Sequence, residues 1–174
     1  MARQTGRTAC DQRAVRHSFG WDRRFDHPAM ESSRAPMRVL LATDLSAASE
    51  RAADRAIELA VESGAQLIVL GVVDPGRLHL PGGGFLRRVD QERARFESGL
   101  RRIVSRARAA GTRATFLVWE GDPAEVILAA SEAESVDLIV LGSHRRGRIG
   151  RLVLGSISAT VSELARCRVL IVPR

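Results

Sequence analysis

Lysine, tyrosine and asparagine are absent from this 174-residue chain, and cysteine nearly so, with only Cys10 and Cys167 present. Two thiols far apart in sequence, without a partner motif, exclude a disulfide scaffold and a cysteine-rich zinc site. They fit a reducing compartment, and the expected location is cytoplasmic. His17, His27, His79 and His144 are scattered, so no histidine metal centre is expected either. Long apolar runs are missing, and none approaches the roughly 18 residues that a membrane-spanning helix needs. Aromatics are sparse at five phenylalanines and two tryptophans, which leaves little with which to stack nucleic-acid bases.

The net charge of +7 is carried entirely by arginine. The three missing residue types share AT-rich codons, so a GC-rich genome accounts for arginine standing in lysine's place. Residues 1–36 hold seven arginines against four acids, a net +3, which leaves a net +4 for residues 37–174. Neither excess is large, and nucleic acid is not indicated as a partner. Apart from these gaps the composition is that of an ordinary globule, 45% apolar and 27% charged.

Residues 1–36 have no helical or strand periodicity and few branched aliphatics. They cannot bury enough apolar surface to offset the entropy of ordering, and read as a disordered, arginine-rich extension. Because Met37 stands directly before the first regular element, a start site placed too far upstream gives the same pattern. From there the chain alternates. Aliphatic runs at 38–43, 66–73, 113–119, 136–141 and 168–172 read as buried parallel strands. Helical patterns at 46–63, 88–110, 123–134 and 155–165 lie between them, with Gly64 and Gly111 as stops. Asp122-Pro123-Ala124-Glu125 has the composition of a helix start, with Asp122 as cap and Glu125 reaching back to it. Residues 75–87, rich in proline and glycine, read as a mobile loop. The expected fold class is therefore α/β, an open parallel sheet with helices on both faces.

In such sheets ligands bind beyond the carboxyl ends of the strands. Asp44, Asp74 and Gly142 each follow a strand. The densest feature is Gly142-Ser143-His144-Arg145-Arg146-Gly147-Arg148-Ile149-Gly150, running on to Gly155-Ser156. Glycines let a backbone approach an anion, helix-opening amides carry partial positive charge, and the arginines favour an anionic ligand. The run is neither a Gly-Lys-Ser/Thr phosphate loop nor a Gly-x-Gly-x-x-Gly dinucleotide turn. A basic surface loop with turn-forming glycines is the bland alternative.

Over residues 37–174 the chain resembles the universal stress protein family. The matching segments are Val39-Leu40-Leu41-Ala42-Thr43-Asp44, Gly121-Asp122-Pro123, Asp137-Leu138-Ile139-Val140-Leu141-Gly142-Ser143 and Val169-Leu170-Ile171-Val172-Pro173. The resemblance implies a five-stranded parallel sheet of order 3-2-1-4-5 and a homodimer joined through the last strand. It also implies a regulatory protein in stress responses whose ATP-bound and empty states act on an unidentified protein partner. Members that bind ATP carry Gly-x2-Gly-x9-Gly-Ser/Thr after the fourth strand. Here Gly142, Gly155 and Ser156 fit that spacing, but Arg145 replaces the middle glycine. A non-glycine residue costs about 1 kcal/mol in a left-handed turn. Gly147 lies close enough to restore that turn, and Arg145 and His144 are able to touch a phosphate. By similarity, Asp44 lines the site near the ribose and any Mg2+, or else caps its helix. Val72 offers backbone hydrogen bonds to adenine, or else only packs. Gly142, Gly155 and Ser156 contact phosphates. The alternative is a non-nucleotide-binding dimeric interaction module in which Arg145 blocks the phosphate turn. No catalytic constellation is apparent, and turnover beyond slow ATP hydrolysis is not expected. Neither nucleic acid nor membrane is an expected partner.

Overall fold

The computed structural model describes residues 36–78, 84–143 and 155–173. All of the expected N-terminal extension except Pro36 lies outside them. Strands β1 (Arg38–Ala42), β2 (Gln66–Val73), β3 (Ala114–Glu120), β4 (Leu138–Gly142) and β5 (Arg168–Val172) form one parallel sheet of order β3-β2-β1-β4-β5. This is the order that the resemblance implies. Between the strands run α1 (Ala47–Ser63), the short α2 (Pro75–Leu78), α3 (Phe85–Ala109), α4 (Pro123–Ala133) and α5 (Ser156–Leu164).

Alternation along β1 sends Val39 and Leu41 to one face and Leu40 and Ala42 to the other. Both faces are covered. Val39 and Leu41 pack with Ala53, Ala56 and Ala60 of α1 and with Leu100, Ile103 and Val104 of α3. Leu40 and Ala42 pack with Val126, Ile127 and Ala130 of α4 and with Val161 of α5. Small residues on α1 let its axis lie close to the sheet, which explains why alanine and not leucine fills that contact. The continuous aliphatic strands follow from this two-sided burial.

The helix ends have local causes. The Ser46 hydroxyl accepts from the Ser49 amide at 3.3 Å and caps α1, while Gly64, at φ 64°, closes it in the left-handed conformation. The cap is thus Ser46, and Asp44 lies outside the helix. Asp122 accepts from the amides of Ala124 and Glu125 at 2.9 and 3.2 Å, with Pro123 opening α4. Asp122→Ala removes both bonds, and urea denaturation is expected to show a loss of about 1 kcal/mol.

Two boundaries differ from the sequence expectation by more than one residue. The expected loop over 75–87 contains α2, and α3 begins at Phe85 instead of residue 88. Phe85 packs against Val73, Val89 and Phe96, and that burial stabilises an additional helical turn behind Gly84. The fourth strand starts two residues later than expected. Ser135 sits at φ 50°, and the Val136 amide is bonded back to Ser131. Val136 therefore belongs to the exit from α4.

Candidate functional site

A cleft of about 690 Å³ opens at the carboxyl ends of β1, β2 and β4. It lies where the chain crosses from one side of β1 to the other, with α1 and α3 on one face of the sheet and α4 and α5 on the opposite face. Asp44, Val72, Gly142, Gly155 and Ser156 all line it. Those five residues come from three stretches of the chain, the turn after β1, the end of β2, and the end of β4 with the start of α5, and meet in one place. His144, Arg145 and Gly147, the other residues singled out by sequence, lie outside the described residues.

The cleft exists because β1 is short. Its last residue, Ala42, pairs with Leu70 and Leu141, while β2 continues to Val73 and β4 to Gly142. Backbone polar groups alternate sides along a strand. Leu70 turns its carbonyl to the β1 side, accepting from Thr43 at 3.0 Å, and Val73 turns its carbonyl to the β3 side, accepting from Gly121. Val72 therefore directs its N–H and C=O toward the space beyond β1. On the opposite flank the Ser143 amide faces β5, donating to Val172 at 2.9 Å. Gly142 accordingly faces β1. A notch bordered by main-chain groups results.

The turn from β1 into α1 forms the floor. The Thr43 hydroxyl donates to Ser49 Oγ at 2.9 Å and accepts from the Leu45 amide at 3.0 Å. Asp44 Oδ1 accepts from the Ser46 amide at 3.0 Å, so the carboxylate is oriented by its own turn. Thr43 and Ser49 are buried, and Asp44 is exposed at the cleft.

On the far side stands α5, whose N-cap is Gly155 at φ −61°, ψ 156°. Among the described residues no side chain caps its first turn, and the Ser156 side chain is solvent-exposed. First-turn amides of this kind attract an anion. Gly155 has an extended backbone that any residue adopts. A methyl group there would meet Ser158 Oγ at 3.7 Å, ordinary contact distance, as its nearest described neighbour. Among the described residues, neither backbone nor packing demands glycine at this position.

Several lining residues carry no sequence signal of their own. Arg77 pairs with Asp74 at 3.2 Å, and Arg95 grips Glu92 through two bonds of 2.9 and 2.7 Å while its guanidinium lies 4.8 Å from the Phe96 ring centre. The Glu92 carboxylate, with a smaller contribution from Asp44, holds the Arg95 guanidinium above its ordinary range against the opposing effect of burial. Asp74 is detectable as a residue following a strand. Glu92 and Arg95 are not, because only the crossing of α3 over the sheet brings them to the cleft. Among the described residues no cluster of His, Cys, Asp and Glu is able to hold a metal, and no helix is long and apolar enough to cross a membrane.

An open parallel α/β sheet with a cleft where its connections diverge defines a Rossmann-like fold. The universal stress protein family model matches residues 36–173, and the chain belongs to that family. A universal stress protein of Thermus aquaticus is 37% identical over 143 residues, covering 77% of this chain and 96% of the relative. Among solved structures, UspA from Lactobacillus plantarum superposes with a TM-score of 0.70 at 25% identity, over 80% of this chain and 99% of that one. A universal stress protein in complex with cAMP matches with a TM-score of 0.60 at 29% identity, over 80% and 98% of the two chains.

Proposed function

We propose that this chain is an adenine-nucleotide-binding universal stress protein that takes ATP, accompanied by Mg2+, in the cleft beyond β1. The observation that carries this reading is the convergence of Val72, Gly142 and Gly155 on one notch, with Gly155 a glycine that its described surroundings do not require. A glycine here leaves room for a ligand to approach the α5 amides. The relative in complex with cAMP supports the same ligand class. In this reading Val72 bonds adenine through its backbone. Asp44 faces the ribose side, and Gly142, Gly155 and Ser156 hold phosphate oxygens. His144, Arg145 and Gly147, which lie outside the described residues, supply further contacts to those phosphates in this reading.

The protein acts as a cytoplasmic homodimer joined through β5, and its filled and empty states present different surfaces to a protein partner. β5 ends the sheet, and Val169 to Val172 are only partly buried, an edge suited to pairing with a second copy. Nucleotide released from denatured, freshly purified protein is expected to be an adenine nucleotide. Calorimetric titration of the stripped protein with Mg-ATP is expected to saturate in the micromolar range, about 8 kcal/mol of binding free energy. No nucleotide and no heat at millimolar ATP would overturn the proposal.

One observation favours a second reading. Arg145 stands where nucleotide-binding members of the family carry glycine. If it blocks the phosphate turn, the wild-type chain is inert to ATP and Arg145→Gly alone confers affinity.

A further inference from the structure

Leu45 adopts φ 60°, a left-handed conformation that a bulky L residue holds only when its surroundings enforce it. Its side chain supplies that enforcement. It packs against the cluster shared by α1, α3 and the sheet, and also against Val73, Val89 and Phe96. Its tip occupies a hollow on α3 made by Gly99. A methyl at position 99 would lie 2.3 Å from Leu45 Cδ1, 2.8 Å from Cδ2 and 3.1 Å from Cγ. The whole isobutyl group, not merely one methyl, would have to move. Gly99 stands within a 25-residue helix, where glycine is the poorest choice after proline. Its backbone has no positive φ to justify it. The seat for Leu45 is what the missing side chain provides.

Leu45 immediately follows Asp44 and sits inside the hydrogen-bonded turn that orients it. The Leu45 amide is held by Thr43 Oγ1, and the next amide, that of Ser46, by Asp44 Oδ1. On α3, Arg95 and Phe96 reach the cleft about one turn before Gly99. We infer that Leu45 is a positioning residue for the cleft: seated on Gly99, it fixes the turn that presents Asp44 and ties that turn to α3. The ligand half of this inference rests on the nucleotide reading above, whereas the mechanical half does not.

Five forms of the full chain test it: wild type, Gly99→Ala, Leu45→Gly, the double variant of these two and Leu45→Met. Two readouts are needed, amide hydrogen exchange at Leu45 and Ser46 without ligand, and calorimetric affinity for Mg-ATP. Leu45→Gly removes the peg and also relieves the strained φ, which offsets part of the lost packing, while the turn loosens. Each single variant is expected to speed exchange at both amides and to weaken ATP by about tenfold, and the double variant to be no worse than Leu45→Gly alone. Leu45→Met, long enough to reach the same hollow, is expected to retain near-wild-type values. Unchanged exchange in Leu45→Gly would overturn the inference, as would additive effects in the double variant. Should Gly99→Ala fail to fold, Leu45→Gly and Leu45→Met decide the matter. If the wild-type chain takes no ATP, the nucleotide reading falls, and the exchange measurements still decide the role of Leu45.

Discussion

Gly155→Val is expected to fold as stably as the wild-type chain and to lose about 10- to 100-fold in affinity for ATP, the worth of one or two charge-assisted hydrogen bonds. The expectation follows from the separation of structural and ligand demands at this position. The backbone of Gly155, at φ −61° and ψ 156°, accepts a β-branched residue without strain. The described space around it admits a Cβ at ordinary contact distance from Ser158. The added methyl groups lie over the first-turn amides of α5, where they keep a phosphate from its donors. Calorimetry against Mg-ATP, with thermal denaturation of the same samples, checks both halves. An unchanged affinity would remove Gly155 from the site, and a large fall in Tm would show that the glycine is structural after all.

The second large effect is on stability. Gly71, one residue before Val72, receives the ring of Phe96, and a methyl there would lie 2.5 Å from Phe96 Cδ1 and 3.1 Å from Leu100 Cδ1. Phe96 and Leu100 are buried in clusters on the α3 side of the sheet, so neither swings aside freely. Gly71→Ala is expected to cost about 1–3 kcal/mol through overpacking, seen as a fall of several degrees in Tm. Phe96→Leu, combined with it, is expected to restore part of the loss, because a smaller side chain vacates the contested space. A Gly71→Ala chain as stable as wild type would mean that α3 shifts on the sheet at little cost.

Much of the architecture was legible in the chain itself. Continuous aliphatic strands require two covered faces, and the glycine and capping signals around them limited the helices to within a few residues. The boundaries that moved had different causes, since a local turn at Ser135 delayed β4 and a tertiary contact lengthened α3. Phe85 extended α3 because Val73, Val89 and Phe96 offered it a buried place, which no local pattern reveals. The site was half legible. Asp44, Gly142, Gly155 and Ser156 stand at strand or helix ends, where α/β topology directs attention. Arg77, Glu92 and Arg95 sit on helices, and as sequence they look like any solvated charges. Leu45 reads as an ordinary apolar residue until its φ and its seat on Gly99 are seen together.

The early end of β1 also bears on how such a protein tolerates mutation. The polar groups that border the notch belong to the main chain of Val72 and Gly142, so exchanging side chains covers or uncovers them but does not delete them. What deletes them is a change of strand length, such as an insertion that lets β1 run on past Ala42 and pair with its neighbours. Substitutions then accumulate with modest consequence while indels between β1 and α1 are costly.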